Sequence, residues 1–150
     1  MTTLTQASKE WANRPDDERF WSIEDLYKKK IASYENSREA NGIVLSSMRT
    51  GHDDKGGLFL ENPATTKQCF FNNYSYSQFC YQIGAAPDYL AKKPAWLTAQ
   101  NLNDDLSHYR ENQPSKLLID VQDPKHLVLR GFSSMEYTRL WDFKVLEKLQ

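Results

Sequence analysis

TTKQCFFNNYSYSQFCYQIG, Thr65–Gly84, carries a strand-like run straight into a helix-like one, and its reading decides the class of fold. TTKQCFF is a short β-type run bounded by turn residues. In SYSQFCYQIG the spacing of Ser75 and Gln78 is that of a capping box. Tyr76, Phe79, Cys80 and Ile83 fall at i, i+3, i+4 and i+7, one apolar helical face, and Gly84 is placed to close the helix. A strand and an amphipathic helix this close together, both with apolar faces to bury, predict a layered domain.

Working outward, the same two signatures alternate. On the N-terminal side, GIVLSSM and GLFLEN are β-type runs divided by RTGHDDKGG, Arg49–Gly57, which predicts a hairpin with Ile43 and Leu45 on one strand and Leu58 and Leu60 on the other. Ser22–Asn41 carries Ile23, Leu26, Tyr27, Ile31 and Tyr34 at helical spacing, with Asp25 three residues after Ser22 and Gly42 as the expected stop. Lys28, Lys29 and Lys30 cannot all face a core and are expected on its solvated side. On the C-terminal side, Pro87 and Pro94 stand where first helical turns accept proline. Ala95, Ala99, Leu102, Leu106 and Tyr109 then step by four and three as a buried seam, leaving Asn101, Asn103, Asp104 and Asp105 elsewhere. KLLIDV and HLVLRGF read as strands joined by QDPK, whose Asp123-Pro124 is a turn signal. Ser133 and Glu136 are spaced to cap a last helix bearing Tyr137, Leu140, Trp141 and Val145. The expectation is an α+β fold: a single compact domain over residues 22–150, with short antiparallel strands and hairpins and about five helices.

Residues 1–21 are set apart as an N-terminal aromatic arm packed on that domain. Trp11, Phe20 and Trp21 are isolated by charge, which excludes a secretory signal, and Asp16, Asp17 and Glu18 oppose binding to anionic lipid. Trp21 precedes the cap at Ser22, so it is expected to fold back on Leu26 and Tyr27 as a buried staple, with Trp11 more exposed.

Nineteen basic and twenty acidic residues leave a net charge of −1 over 150 residues, so nucleic acid would have to be held by a local patch. No run is long and apolar enough to span a bilayer, and no targeting segment is visible, so a cytoplasmic protein without membrane attachment is expected. Cys69 and Cys80 lack metal or redox spacing and are expected as packed, reduced thiols.

Four segments together resemble a known family. EWANRPDDERFWSIEDL, ATTKQCFFNNYSYSQFCYQIGAAPDYL, LTAQNLNDDL and SSMEYTRLWDFKVLEKL are similar, in the same order, to the phage/plasmid-like protein family built on a domain of unknown function (nine-three-two). RPDDERFW, and GAAPDYL with AQNLN, are the more specific of these features. The resemblance covers nearly the whole chain and the N-terminal portion of longer family members. It implies a mobile genetic element as setting and supplies no reaction; the connector Arg49–Gly57 and the pair Phe70 and Phe71 match no family motif.

The chemistry of the residues points away from catalysis. No serine sits in GxSxG, and the six glycines never form GxxxxGK or GxGxxG. His52, Asp53 and Asp54 are adjacent in a glycine-rich loop, a poor geometry for converging on one ion, and His108 and His126 have no Cys or Ser beside them. No enzyme activity, cofactor or metal is expected. Two binding readings remain. In the first, the protein binds a host protein or nucleoprotein complex, as an inhibitor of a defence system of the anti-CRISPR or anti-restriction type. Asp104 and Asp105 with Glu111, or the acidic run Asp16–Glu18, would occupy a groove made for phosphates, and Trp11 would be a partner-binding residue. Leu146 and Leu149 would extend the apolar face of the last helix into a docking or two-fold dimer surface. In the alternative, a single-strand nucleic-acid binder serving recombination or replication, Phe70, Phe71, Tyr74 and Tyr81 would stack bases while Lys67, Lys92, Lys93 and Arg110 held phosphates.

Overall fold

In the computed structural model Lys9, residues 12–111 and residues 113–149 are described, apart from the side chain of Asp17. Their contacts divide into two units: the described residues through Glu35 with those from Arg139 onward, and Asn36–Thr138. The sequence had suggested a boundary at residues 21 and 22 instead. Among the described residues five α-helices and six strands give the expected α+β class.

In the larger unit the strands are β1 (Ser37–Ile43), β2 (Arg49–His52), β3 (Leu58–Asn62), β4 (Lys67–Phe71), β5 (Ser115–Asp120) and β6 (Leu127–Ser134). They form one sheet in the order β1-β5-β6-β4-β3-β2, antiparallel except where β4 runs parallel to β6. The helices of this unit are α2 (Asn73–Ile83), α3 (Pro87–Leu90) and α4 (Ala95–His108). Phe79, Cys80 and Ile83 of α2 and Leu102 and Leu106 of α4 are buried in one cluster with Leu60, Cys69, Leu117 and Leu129 of the sheet. Side chains alternate along a strand, so Glu61, Gln68, Phe59 and Phe70 lie on the other face. There Glu61 is covered by its cross-strand neighbours, bonded to Arg49 and receiving Gln68 Nε2 at 3.0 Å. Those bonds, Gln68 first, hold its carboxyl below the usual carboxylate range.

The outer edge of the sheet at β2 is closed by a side chain. Asn103 of α4 accepts the Thr50 N–H at 2.7 Å and donates Nδ2 to the Thr50 carbonyl at 2.9 Å. Its carboxamide thus supplies the bonds of a missing neighbouring strand, which protects an edge that would otherwise template aggregation. The helical pattern had placed Asn103 away from any such contact.

Several expected boundaries are corrected. α2 is capped by Asn72, whose side chain accepts the Ser75 N–H at 2.8 Å while Ser75 Oγ accepts the Asn72 N–H at 3.1 Å, so Ser75 answers the cap rather than starting it. The helix expected over Ser22–Asn41 stops at Glu35. Ser37–Ala40 are strand because they pair with Leu117–Asp120, a tertiary demand that overrides the helical propensity of Arg38, Glu39 and Ala40. Gly42, at φ 72°, sits in the register shift between Ala40 and Ile43 rather than at a helix end. The expected hairpin exists but is displaced. Leu45–Ser47 form a 3-10 turn, β2 is drawn from the former connector, and the turn is Asp53–Gly57, where Asp53 Oδ1 accepts the N–H groups of Lys55 and Gly57. Finally, Ser133 and Ser134 belong to β6, where they pair with Lys116 and Ser115, and cap no helix.

The smaller unit contains α1 (Ile23–Glu35) and α5 (Asp142–Glu147). Ser22 Oγ accepts the Asp25 N–H at 3.0 Å, as the cap spacing implied. Tyr34 meets Trp141 edge-on at 4.8 Å between ring centroids and Phe143 at 5.0 Å. Lys30 pairs with Asp142 at 2.7 Å, and Tyr27 donates its hydroxyl to Glu147 at 2.8 Å. α5 starts at Asp142, leaving Tyr137, Leu140 and Trp141 ahead of it. Trp21 is 84% exposed, against the expected buried staple. Among the described residues neither helix of this unit has a fully buried residue.

Candidate functional site

β4 ends at Phe71 and the chain turns away into α2, so only Leu127–Leu129 of β6 have a strand neighbour on that side. Beyond them α2 takes the place of the strand. Gly131 allows this: a side chain there would put its Cβ 3.2 Å from Gln78 Oε1. The Phe132 N–H donates to Gln78 Oε1 at 3.0 Å, and Gln78 Nε2 donates to the Phe132 carbonyl at 3.4 Å. The ring of Phe132 meanwhile packs against Phe79, 5.7 Å between centroids.

Past Gln78 the helix and strand diverge and leave a cleft of ≈ 670 Å³. Its helix wall is Gln78, Tyr81 and Gln82; its strand wall is Phe132, Ser133 and Ser134, with Met135 and Glu136 beyond. Glu111, Gln113 and Pro114, leading into Ser115, complete it. Tyr81 is 71% exposed, so its ring faces are available along this wall. Glu111 is held in place: Gln82 Nε2 donates to Tyr109 Oη at 2.9 Å, and that hydroxyl donates to Glu111 Oε2 at 3.2 Å.

Among the described residues the lining contains two carboxylates and no lysine or arginine. Among the described residues neither Glu111 nor Glu136 has an ion-pair partner. Two cations neighbour the lining in sequence: Arg110 Nη1 donates to the Ser107 carbonyl at 3.3 Å, and Lys116 Nζ to the Tyr137 carbonyl at 3.0 Å. The cleft therefore combines two exposed carboxylates, an aromatic wall and amide and hydroxyl groups, with the charges of Arg110 and Lys116 adjacent in sequence to its lining.

The other anticipated site residues are dispersed. Asp104, exposed on α4, lies 4.0 Å from His108 Nδ1, and Asp105 is half-buried on the same helix. Leu146 is half-buried and Leu149 exposed in the smaller unit, while Trp11 lies outside the described residues. The four rings of the nucleic-acid reading do not share a surface. Phe71 packs with Phe79 in the core at 5.2 Å, whereas Phe70 is on the opposite face, stacked on His126 at 4.4 Å. Only Tyr74 and Tyr81 are both exposed, seven residues apart on α2. Lys67 begins β4, Lys92 and Lys93 follow α3 with Lys93 Nζ 4.7 Å over the Tyr89 ring, and Arg110 follows α4. Among the described residues no group of three or more His, Cys, Asp or Glu could hold a metal, and no helix is long and apolar enough to cross a membrane.

Gln78, Gln82, Tyr109, Gln113 and Glu136 were not anticipated at a binding site. Tyr74, Gln78 and Tyr81 fall at i, i+4 and i+7, a polar-aromatic stripe opposite the apolar face of α2, and that spacing was the available signal. In comparison with known proteins the chain matches no family model, no curated protein and no solved structure.

Proposed function

We propose that this chain is a non-enzymatic binding protein whose α2/β6 cleft takes a basic surface of another protein. The observation that carries the reading is the pair Glu111 and Glu136 in a cleft whose lining, among the described residues, contains no lysine or arginine. Charge of one sign in a concave site steers the opposite sign toward it and disfavours phosphates. The resemblance to a phage- and plasmid-like family supplies the setting. In it, a host defence complex, whose nucleic-acid-binding surface is basic, is the target class, and inhibition by masking basic residues of that surface is the role. The alternative of single-strand nucleic-acid binding draws less support, because its rings lie on separate surfaces and its cations at separate element ends.

The test is a pair of titrations at low salt, one with fluorescent polylysine and one with a fluorescent single-stranded oligonucleotide. The reading expects saturable binding of the polycation that weakens when Glu111→Gln and Glu136→Gln are combined, and no binding of the oligonucleotide. Oligonucleotide binding that falls steeply with salt would transfer the function to the alternative.

A further inference from the structure

An asparagine side chain attacked by the backbone nitrogen of the next residue loses ammonia, and the fold decides where that happens. We infer that Asn41, in the bulge of β1, is a site of spontaneous deamidation to aspartate and isoaspartate. Asn41 is the only asparagine of the sequence followed by glycine, whose lack of a Cβ leaves its nitrogen open to approach. Connectivity already holds the Gly42 nitrogen close to Asn41 Cγ, and rotation about the Asn41 side chain and its carbonyl carbon brings them together. What the fold controls is whether those rotations are restrained. Ala40 pairs with Leu117 and Ile43 with Ser115, so Asn41 and Gly42 stand opposite Lys116, outside the regular ladder. Both are exposed, and Gly42 has open space where a side chain would be. The Gly42 N–H donates to the Met135 sulfur at 3.4 Å, and a thioether is a weak acceptor. Among the described residues the Asn41 carboxamide makes no hydrogen bond.

Other asparagines are committed. Asn62 Oδ1 accepts the Ala64 N–H at 3.0 Å, Asn72 caps α2, Asn101 Nδ2 donates to the Leu97 carbonyl at 2.9 Å, and Asn103 holds the β2 edge. Each of those bonds has to break before the side chain can turn onto the following nitrogen. At Asn41 the Gly42 nitrogen gives its proton to solvent hydroxide and bonds to Cγ, while the Cγ–Nδ2 bond breaks and releases ammonia. Water then opens the cyclic imide. Cutting its bond to Cγ gives aspartate, and cutting its bond to the main-chain carbonyl carbon gives isoaspartate. The isoaspartyl chain gains a backbone methylene, which falls in the bulge between the paired residues Ala40 and Ile43.

The experiment incubates the full chain, folded and in parallel unfolded in urea, in mildly alkaline buffer made with water enriched in the heavy oxygen isotope. Trypsin then releases Glu39–Arg49, whose mass and chromatographic forms are followed with time. The folded protein is expected to lose the unmodified peptide steadily, at a rate close to that of the unfolded chain. Acidic forms carrying the heavy oxygen should replace it, isoaspartate ahead of aspartate. Peptides bearing Asn62, Asn72, Asn101 and Asn103 should stay unmodified in the folded protein over the same period. Asn41→Gln, which would have to close a larger ring, should leave its peptide intact and remove the acidic shift of the aged protein on isoelectric focusing. An unmodified Asn41 in the folded protein when the unfolded chain has already converted overturns the inference. So does earlier loss at any of the other four asparagines, or a product without the heavy oxygen.

Discussion

The side-chain amide of Gln78 bonds to both the N–H and the carbonyl of Phe132, standing in for the strand that β4 ceases to be after Phe71. Gln78→Glu keeps the acceptor and loses the donor, placing a carboxylate against the Phe132 carbonyl. Leaving that group unsatisfied costs about 1–3 kcal/mol, so chemical denaturation of Gln78→Glu should show a loss of that size, and Gln78→Leu a similar one.

Asn103 does the same for Thr50 at the β2 edge. Asn103→Ala should lower stability by about 1–3 kcal/mol through two unpaired backbone groups. It should also produce concentration-dependent association, visible by light scattering, because the exposed edge can pair with another chain. A variant that loses stability but stays monodisperse would show that other features guard the edge.

Trp21→Ala should have little effect on thermal stability, within about 0.5 kcal/mol, because its ring is exposed and surface substitutions are usually that mild. A loss of several kcal/mol would mean that the indole is buried in solution.

Cys69 and Cys80 are both buried, and burial pushes the Cys80 thiol up to about 11 and the Cys69 thiol up as well. Native protein at pH 8 should therefore resist iodoacetamide, with both thiols reacting only after unfolding. Linkage gives the pH dependence. The unfolded thiols ionise near about 8.5, below the folded values, so above that pH the folded state keeps protons the unfolded state releases. Stability contributed this way is complete below the unfolded value and falls as pH rises toward the folded one. Urea denaturation between pH 8 and 10.5 should show that decline, and Cys80→Ala should make it shallower.

The α+β class and the core face of α2 were legible because Phe79, Cys80 and Ile83 repeat at helical spacing and nothing in the tertiary structure contradicts them. The seam of α4 was legible for the same reason. The errors share one cause. Ser37–Ala40 and Ser133–Ser134 are polar, and their strand character comes from pairing with β5, which lies far along the chain from the first segment and is the preceding strand for the second. Reading Ser133 as a helix cap also concealed the cleft, since one of its walls was assigned to the wrong element. Glu111 was visible as an acidic residue near Asp104 and Asp105; its separation from them into a cleft depends on the path of the chain from Tyr109 to Ser115.

The most direct test of the acidic-cleft account is where a basic ligand binds. Titrating isotope-labelled protein with Gly-Arg-Gly-Arg-Gly and following amide resonances should move Tyr81, Gln82, Glu111, Ser133, Ser134 and Glu136 together, along one saturation curve. Shifts confined to Asp104, Asp105 and their helix neighbours, or no shifts at saturating peptide, would contradict it.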